Sequence, residues 1–471
     1  MTEQKPKSPI PFIIAFTVLL VAYFMPEMGM IKPTGWRALA ILLSAIILWA
    51  TEALPAANTA MGILVLLPLL GVSSYTNTFS SLGTVMIWRL VSIFIITEAV
   101  RRVGLANRIA YKLIIAMKGY VRRMLLCVLL LGFAFSFVLP SISARTSLLV
   151  ILVVSWMQTI NIKPPSNIGK AFMISIPAVC TLTASSIIVG ASVDIFAADL
   201  FNTLIGYRWT YFTWLITTAP ICLIFTLAVY AVIILLFKPE INRIDNITEI
   251  QEKSRAMGSI TRQEKFVIII FLILLALWIT DTAEVIPAEM MAAFILVFPS
   301  KLRILTWKEA MNSVQWPIIL LFGASISMAA ALQGSGIVDW LGINVFSQLV
   351  GLSPVIIALI TIVTTVLLRL GMSNMTGVIA TLLPLLITLA KGVNVNPVWL
   401  GMICVMSSSS SFFFPAQSAH MLFTYGYGFY SNQDLLKFGL VLFPLFVLIL
   451  ILMAIIYWPV AIIPVNLLTQ G

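Results

Sequence analysis

Long apolar stretches separated by short polar segments recur along all 471 residues. The clearest stretches are residues 10–31, 37–51, 125–139, 210–237, 266–280, 354–368 and 439–463. A helix needs about 20 residues to cross about 30 Å of hydrocarbon, so the longer stretches suffice and the shorter ones do with flanking residues. The pattern predicts an all-α, polytopic membrane protein with about 10 to 12 crossings, once broken helices are allowed for.

One arrangement of polar breaks occurs twice, 232 residues apart. In each copy a tryptophan begins an apolar run that reaches a glycine, and a serine cluster follows 37 residues after that glycine. The first copy has Trp88, Gly104 and Ser141, and the second has Trp316, Gly336 and Ser373. Equal spacing in two halves is typical of transporters built from internal repeats, and chance alignment of apolar segments is the alternative.

A single long polar segment, residues 238–265, divides the chain and contains five acidic and six basic residues. We interpret it as a cytoplasmic linker, helical from Ile247 to Ala256, between a first repeat half (1–237) and a second (266–471). Basic residues in the short loops favour the same cytoplasmic side for the linker and the N-terminus. The segment is too short to indicate a separate regulatory domain.

Composition excludes several classes of protein. At 61% hydrophobic and 10% charged residues, the chain is far from a soluble globular protein, in which roughly a quarter of residues are charged. The net charge of +11 resides in short loops, where lysine and arginine set topology, so no nucleic-acid partner is expected. The four cysteines lack metal-ligand spacing, and neither an HExxH motif nor a P-loop occurs, so we expect no enzyme and no metal centre.

Four polar breaks interrupt apolar stretches, two in each half, at residues 140–146, 185–194, 370–377 and 407–420. Backbone that leaves the helix at membrane depth must be buried in protein or line a cavity. Helix ends at such breaks offer N–H groups to an anion and carbonyl groups to a cation. The alternative is that these serines bond back to their own helices and allow close packing.

Ionisable residues inside apolar stretches are costly and tend to be paired or to face a cavity. They are Glu52, Arg89, Glu98, Arg145, Asp194, Arg369 and His420. Arg145 could hold a substrate carboxylate or act as a built-in cation. Arg369 lies one helical turn before Ser373, although an interfacial arginine that snorkels is equally compatible. His420, the sole histidine, could titrate near neutral pH or simply donate a hydrogen bond.

Several segments resemble the divalent anion:sodium symporter family of di- and tricarboxylate carriers. Residues Trp49–Ala60 match its WxTEALPxxxTA signature, and Ser335–Trp340 and Gly104–Ala110 are similar to paired helix ends of that family. The similarity covers nearly the whole chain. It implies about 11 transmembrane helices and two re-entrant hairpins in two inverted repeats, a homodimer, and elevator-type movement of one part of the protein across the membrane.

In that family each hairpin tip carries a Ser-Asn-Thr motif that binds a substrate carboxylate and borders a sodium site. The corresponding residues here are Ser141, Ile142 and Ser143 in the first half, and Ser373, Asn374 and Met375 in the second. Ile142 replaces an amide and Met375 replaces a hydroxyl, although Thr376 restores the hydroxyl if the register shifts by one. Gly190–Asp194 and Ala416–Met421 correspond to the segments that complete the two sites.

The Ser-Ala-Arg-Thr sequence at 143–146 is similar to the citrate/succinate-type antiporters, in which a fixed basic group takes the place of sodium. The resemblance therefore favours a secondary active exchanger of succinate-, malate- or citrate-like anions in a bacterial plasma membrane. Sodium-coupled symport of a dicarboxylate or sulfate-like anion is the alternative, with Na⁺ as the coupling ion and no other cofactor.

These arguments give two sets of candidate residues. The candidate substrate-binding residues are Ser141, Ser143, Arg145, Thr146, Ser373, Asn374, Thr376, Pro415, Ser418 and His420. The candidate ion-site or cation-surrogate residues are Ser141, Arg145, Gly190, Asn374 and Arg369. The expected partners are a small carboxylate anion, the lipid bilayer and a second copy of the chain.

Overall fold

The regular structure of the described residues is helical, apart from isolated bridge residues such as the antiparallel pair Tyr120 and Arg243. The computed structural model describes residues 9–27, 31–51, 53–139, 141–159, 161–243, 248–280, 287–300, 303–335, 337, 340, 349–372, 374–461, 463 and 465. The predicted all-α class is therefore confirmed.

The helices of the first half fall into two runs. Those before the first hairpin are α1 (Ile10–Tyr23), α2 (Pro33–Ala50), α3 (Ala56–Leu69), α4 (Tyr75–Ser80), α5 (Val85–Val103) and α6 (Leu105–Ala116). Those of the hairpin and beyond are α7 (Val121–Ala134), α8 (Ile142–Thr159), α9 (Asn167–Leu182), α10 (Ser192–Ile205) and α11 (Tyr211–Leu236).

The linker contributes one helix, and the helices of the second half follow it. The linker helix is α12 (Thr248–Ala256), followed by α13 (Arg262–Ile279), α14 (Ala288–Val297), α15 (Trp307–Ser313) and α16 (Trp316–Gly334). The remaining helices are α17 (Pro354–Gly371), α18 (Met375–Gly392), α19 (Pro397–Ser408), α20 (Ala419–Tyr425), α21 (Asn432–Leu452) and α22 (Trp458–Ala461).

Several helices are long and apolar enough to cross a membrane. Within the described ranges there are six, and the bent pair α15–α16, with an angle of 53°, makes a seventh. The six comprise Tyr75–Val103, Asn167–Ser186, Tyr211–Leu236, Pro354–Gly371, Met375–Gly392 and Asn432–Ala461. Shorter apolar helices accompany them, including α1, α2, α3, α8, α14 and α19. The protein is therefore a multi-pass membrane protein.

The order of helices from α7 to α11 recurs from α17 to α21. Each series has two helices joined by a short break, a third helix that ends in a second break, a shorter helix and a long helix. In both series the first two helices pack on the third. The series begin at Val121 and Pro354, 233 residues apart, close to the spacing of the sequence pattern.

The two series are interlocked through their broken helices. Helix α10 of the first series packs on α18 of the second, and α20 of the second packs on α8 and α9 of the first. The long helices α11 and α21 also pack together. Each hairpin, α7–α8 and α17–α18, therefore meets the short helix of the opposite half, and the starts of α8, α10, α18 and α20 come together.

Five helices outside these series, α2, α3, α5, α14 and α16, form a connected layer of packed helices, called the wall below. Helix α3 packs on α2 and α16, and α14 packs on α5 and α13. Arg89 of α5 lies 3.4 Å from the buried Glu289 carboxylate of α14, which also accepts a 2.8 Å hydrogen bond from Trp278. Two of the ionisable residues, Arg89 and Glu98, are thus paired, the latter with Arg101, and Glu52 lies outside the described residues.

In the second break of each series, side-chain hydroxyls bond back to earlier carbonyl oxygens, as Thr183 and Ser186 do after α9. After α9 the chain makes a turn in which a Cβ on Gly190 would lie 2.3 Å from the Ala184 carbonyl oxygen, so only glycine fits. At the end of α19, Ser407, Ser408 and Ser409 donate back to carbonyl oxygens three or four residues earlier. For these serines the local bonding alternative holds.

The linker helix α12 packs on α6 and α8. Arg108 of α6 anchors the linker, because its guanidinium contacts the Glu264 carboxylate at 2.8 Å and donates to the Met257 and Gly258 carbonyl oxygens. Burial raises the pKa of Glu264, but the hydrogen bonds from Arg108 and Thr261 outweigh it and hold that pKa below its usual value.

Candidate functional site

A cavity of about 280 Å³ lies where four helices begin. Residues from the first turns of α8, α10, α18 and α20 line it, so each half contributes one hairpin helix and one broken helix. The lining residues are Phe94, Ser141, Ile142, Ser143, Ala191, Ser192, Val193, Gln315, Ile318, Arg369, Asn374, Met375, Thr376, Ser418, Ala419 and His420.

The helix starts make this cavity electropositive. The first N–H groups of a helix have no acceptor within it, and the helix dipole adds a partial positive charge at that end. Three of the starts have side-chain caps, in which Ser141, Asn374 and Ser418 accept from backbone N–H groups at 3.0–3.3 Å. Each cap satisfies one N–H group, and α10 has no side-chain cap. Four converging starts suit an anion.

Arg369 adds a full positive charge to the cavity wall. It lies in the last turn of α17, is 1% exposed and lines the cavity. Its Nε donates to the Ser408 carbonyl oxygen at 2.9 Å, and its Nη1 donates to the Met372 carbonyl oxygen. These bonds fix the guanidinium at the end of α19. The snorkelling alternative does not hold, because the side chain is buried.

Arg145 lies behind the cavity wall. It is fully buried in the first turn of α8 and is not among the lining residues. Its Nη2 donates to the Cys180 carbonyl oxygen at 3.0 Å, while Nε and Nη1 have no hydrogen-bond partner among the described residues. This position fits a built-in cation better than direct contact with a substrate carboxylate.

The two arginines occupy related places in the two halves. Arg145 bonds a carbonyl in the last turn of α9, and Arg369 bonds the carbonyl of the last residue of α19. Carbonyl ends of broken helices are where transporters with internal repeats coordinate sodium. A guanidinium at such an end supplies a positive charge without a bound ion.

His420 connects the two halves across the cavity. Its Nε2 lies 3.0 Å from Ser143 Oγ, so the start of α20 is bonded to the start of α8. His420 Nδ1 has no partner among the described residues. The histidine therefore serves at least as the hydrogen-bonding group considered from the sequence.

The structure brings together most, but not all, of the predicted site residues. Six predicted substrate-binding residues line the cavity: Ser141, Ser143, Asn374, Thr376, Ser418 and His420. Arg369, predicted for the ion site, lines it too. Arg145, Thr146, Pro415 and Gly190 are not among the lining residues, and Ser373 lies outside the described residues.

Three residues that line the cavity were not predicted from the sequence. Phe94 of α5 and Ile318 of α16 are ordinary apolar residues in apolar helices, so no signal distinguished them. Gln315 lies between α15 and α16, directly before Trp316. An isolated polar residue at the start of an apolar run was the available signal. Among the described residues, no group of three or more His, Cys, Asp or Glu could hold a metal ion.

Comparison with known proteins identifies the family of this chain. The family model described as the sodium:sulfate symporter transmembrane region matches residues 7–463. The chain belongs to this family. The family predicted from the sequence is thereby confirmed, and its members are transporters, not enzymes.

Individual relatives are distant but similar in length. A sodium-dependent dicarboxylate transporter of Staphylococcus saprophyticus is 25% identical, over 91% of this chain and 86% of its own length. A citrate/succinate antiporter of Escherichia coli is 22% identical, over 79% of this chain and 78% of its own. The YdaH transporter of Alcanivorax borkumensis has the same fold, with a TM-score of 0.56 and 14% identity, over 92% of this chain and 98% of its own.

Proposed function

We propose that this member of the family is a secondary active transporter of di- or tricarboxylate anions of the succinate, malate and citrate class. The observation that carries the proposal is the cavity at which four helix starts and Arg369 converge. Such a site has hydrogen-bond donors on opposite walls, and a dicarboxylate has a charged group at each end. One carboxylate would bind at Ser141 and Ser143, and the other at Asn374, Thr376 and Arg369.

We further propose that transport proceeds by anion exchange. A sodium-coupled site needs an ion at the carbonyl ends of the broken helices, whereas here Arg145 and Arg369 donate to those carbonyls. A fixed positive charge cannot leave with the substrate. Return of the site across the membrane would therefore be favoured only when a second anion occupies it.

Sodium-coupled symport is the second candidate. The relative from Staphylococcus is a sodium-dependent dicarboxylate transporter, and the family is described by sodium:sulfate symport. The relative from Escherichia is a citrate/succinate antiporter, so distant relatives are described by both modes of coupling. The arginines favour exchange, and the family leaves sodium as the alternative coupling ion.

The movement that accompanies transport is also proposed from the resemblance. The interlocked α7–α11 and α17–α21 would move as a body past the wall formed by α2, α3, α5, α14 and α16. The full topology would have 11 spans and two re-entrant hairpins in inverted repeats, with the wall forming the interface of a homodimer in the bacterial plasma membrane. Gln315, Phe94 and Ile318 line the cavity from α5 and the start of α16, so this movement would replace them at the site.

Uptake of labelled succinate into proteoliposomes tests the function and its coupling. The four conditions combine the presence or absence of an inward sodium gradient with the presence or absence of internal succinate. We expect uptake that requires internal succinate and ignores sodium. Sodium-driven uptake into empty vesicles would establish symport instead. Absence of succinate uptake under all conditions, together with uptake of labelled sulfate, would contradict the carboxylate assignment.

A further inference from the structure

The function proposed above leaves one buried ionisable residue beside the site without a role. Asp194 is fully buried in the first turn of α10, directly after the lining residues Ser192 and Val193. Its Oδ1 accepts a 2.5 Å hydrogen bond from Ser185 Oγ. Its Oδ2 has no hydrogen-bond partner among the described residues. A buried ionised carboxylate normally requires donors for both oxygens.

A buried positive charge, Arg145, lies in the first turn of α8, which also begins at the cavity. It too has buried nitrogens without a hydrogen-bond partner among the described residues, Nε and Nη1. Burial favours the neutral acid, and the positive charge of Arg145 favours the carboxylate. Because these two effects oppose each other, a third charge that binds in the cavity can change the fraction of Asp194 that is protonated.

Among the titratable groups on the helices around α10, Arg145 is the charge that opposes Asp194. Helix α11 contributes the Cys222 thiol, which donates to the Leu182 carbonyl oxygen, and α9 contributes Cys180, whose carbonyl oxygen accepts from Arg145. Helix α16 has no titratable side chain in its sequence. The titratable side chains of α5, α18 and α19 are engaged elsewhere or exposed: Arg89 with Glu289, Arg101 with Glu98, Arg102 with Glu309, Cys404 with Thr365, and Lys391 exposed.

The buried charges around the cavity do not balance a dianion. Of the other buried charged side chains in the described part of the chain, Arg108 and Glu264 pair together and Glu289 pairs with Arg89. Arg145, Arg369 and Asp194 remain. Two positive charges and one ionised carboxylate leave one negative charge in excess when a dianion binds. Protonation of Asp194 makes the loaded site neutral, and neutral sites cross a membrane at lower cost.

We propose that Asp194 takes up one proton from solvent with each bound dianion, by formation of an O–H bond at Oδ2. The inference rests on the proposed binding of a dianion in the cavity. The dianion lowers the electrostatic potential at Asp194 and so increases its affinity for a proton. By reciprocity, the proton increases the affinity for the dianion by the same factor. The transported species is then a dianion with one proton.

Calorimetric titration of the purified protein with succinate counts the protons. Heats are measured in two buffers of different ionisation enthalpy at about pH 7.5, where succinate is a dianion because both of its carboxyl groups titrate well below that pH. For the wild type we expect uptake of about one proton per succinate, and an affinity that rises up to about tenfold for each unit of decrease in pH. Binding without proton uptake overturns the inference but leaves the proposed function intact.

Two variants assign the proton. Asp194→Asn imitates the protonated acid, so it should bind succinate with no proton uptake and no pH dependence. The matched control is Asp199→Asn, which removes a half-buried carboxyl group from the same helix outside the cavity lining and should retain proton uptake. Uptake that persists in Asp194→Asn and disappears in His420→Gln overturns the inference in favour of the histidine.

The experiment separates failure of the inference from failure of the function. A wild-type protein that binds neither succinate nor sulfate contradicts both. The wild-type proton count requires no substitution, so it decides between uptake and no uptake even if Asp194→Asn does not fold. In that case Asp194→Ser replaces it, and retained proton uptake in the serine variant overturns the assignment to Asp194.

Discussion

The two halves of the chain place an arginine at the same kind of position but leave it in different surroundings. In the second half, Arg369 has Nε and Nη1 bonded to the Ser408 and Met372 carbonyls, and its side chain lines the cavity. In the first half, Arg145 makes one bond, to Cys180, and lies behind the wall. The first half also contains the buried carboxylate Asp194, in the first turn of α10.

A bound cation both contacts the anion and supplies positive charge, and here two different arginines supply these two functions. Arg369 can bond an anion directly while it occupies a carbonyl end. In the proposed mechanism, Arg145 acts only through its charge, and the protonation of Asp194 sets how much of that charge is balanced. We therefore propose that the first half is the adjustable side of the site and the second half the fixed side. Three substitutions test this asymmetry by their effects on succinate affinity.

Arg369→Ala should have the largest effect. It removes a direct charged hydrogen bond to the anion, worth about 3 kcal/mol, so succinate affinity should fall about 100-fold and exchange should be lost. Titration calorimetry and uptake into proteoliposomes measure the two effects. Arg369→Lys, which keeps the charge but not the planar fork, should recover part of the affinity. Affinity unchanged in Arg369→Ala would contradict a direct contact.

Arg145→Ala should have an intermediate effect on affinity. The charge acts from behind the wall, where a unit charge contributes about 1–2 kcal/mol at an effective dielectric constant near 20, so affinity should fall about tenfold. Exchange should nevertheless be lost, because a dianion then leaves the loaded site with one net negative charge even when Asp194 is protonated. Size-exclusion chromatography in detergent checks that the variant is folded. Full exchange in a folded Arg145→Ala protein would rule out the fixed-cation role.

Asn374→Ala should have the smallest effect of the three. Asn374 caps α18 through its bond from the Thr376 N–H group and offers the proposed anion one uncharged hydrogen bond, worth about 1 kcal/mol, which corresponds to about a fivefold loss of affinity. The control is Asn107→Ala on α6, an exposed asparagine outside the cavity lining, which should bind as the wild type does. Equal effects of the two substitutions would count against the hairpin tip as a binding element.

Much of the site could be predicted because its residues interrupt long apolar runs. Ser141, Asn374 and Ser418 stand out in the sequence, and each caps a helix start at the cavity. Thr146 and Pro415 belong to the same breaks, yet they are buried outside the cavity lining. Sequence alone cannot separate these cases, since the direction of a side chain from a helix start depends on how the helix is docked.

The positions of the breaks were predicted more reliably than the hydrogen bonds that their residues make. The serine run at 407–411 belongs to a break that could either face a substrate or bond back to its own helix, and Ser407, Ser408 and Ser409 bond back into α19. The contribution of that segment is a carbonyl group that holds Arg369. Backbone groups carry no sequence signal, so such a partner becomes visible only in three dimensions.

The sequence by itself determined the membrane class, the helical fold, the family and the position of the breaks. These follow from hydropathy and from local backbone rules, which act over a few residues at a time. Only the tertiary structure decided which breaks meet, because the four helix starts come from residues as far apart as Ser141 and Ala419. It also placed Asp194 and Arg145 at helix starts beside one cavity and left Arg369 on the cavity wall. Charges interact through space, so their balance at a site depends on packing and not on order along the chain.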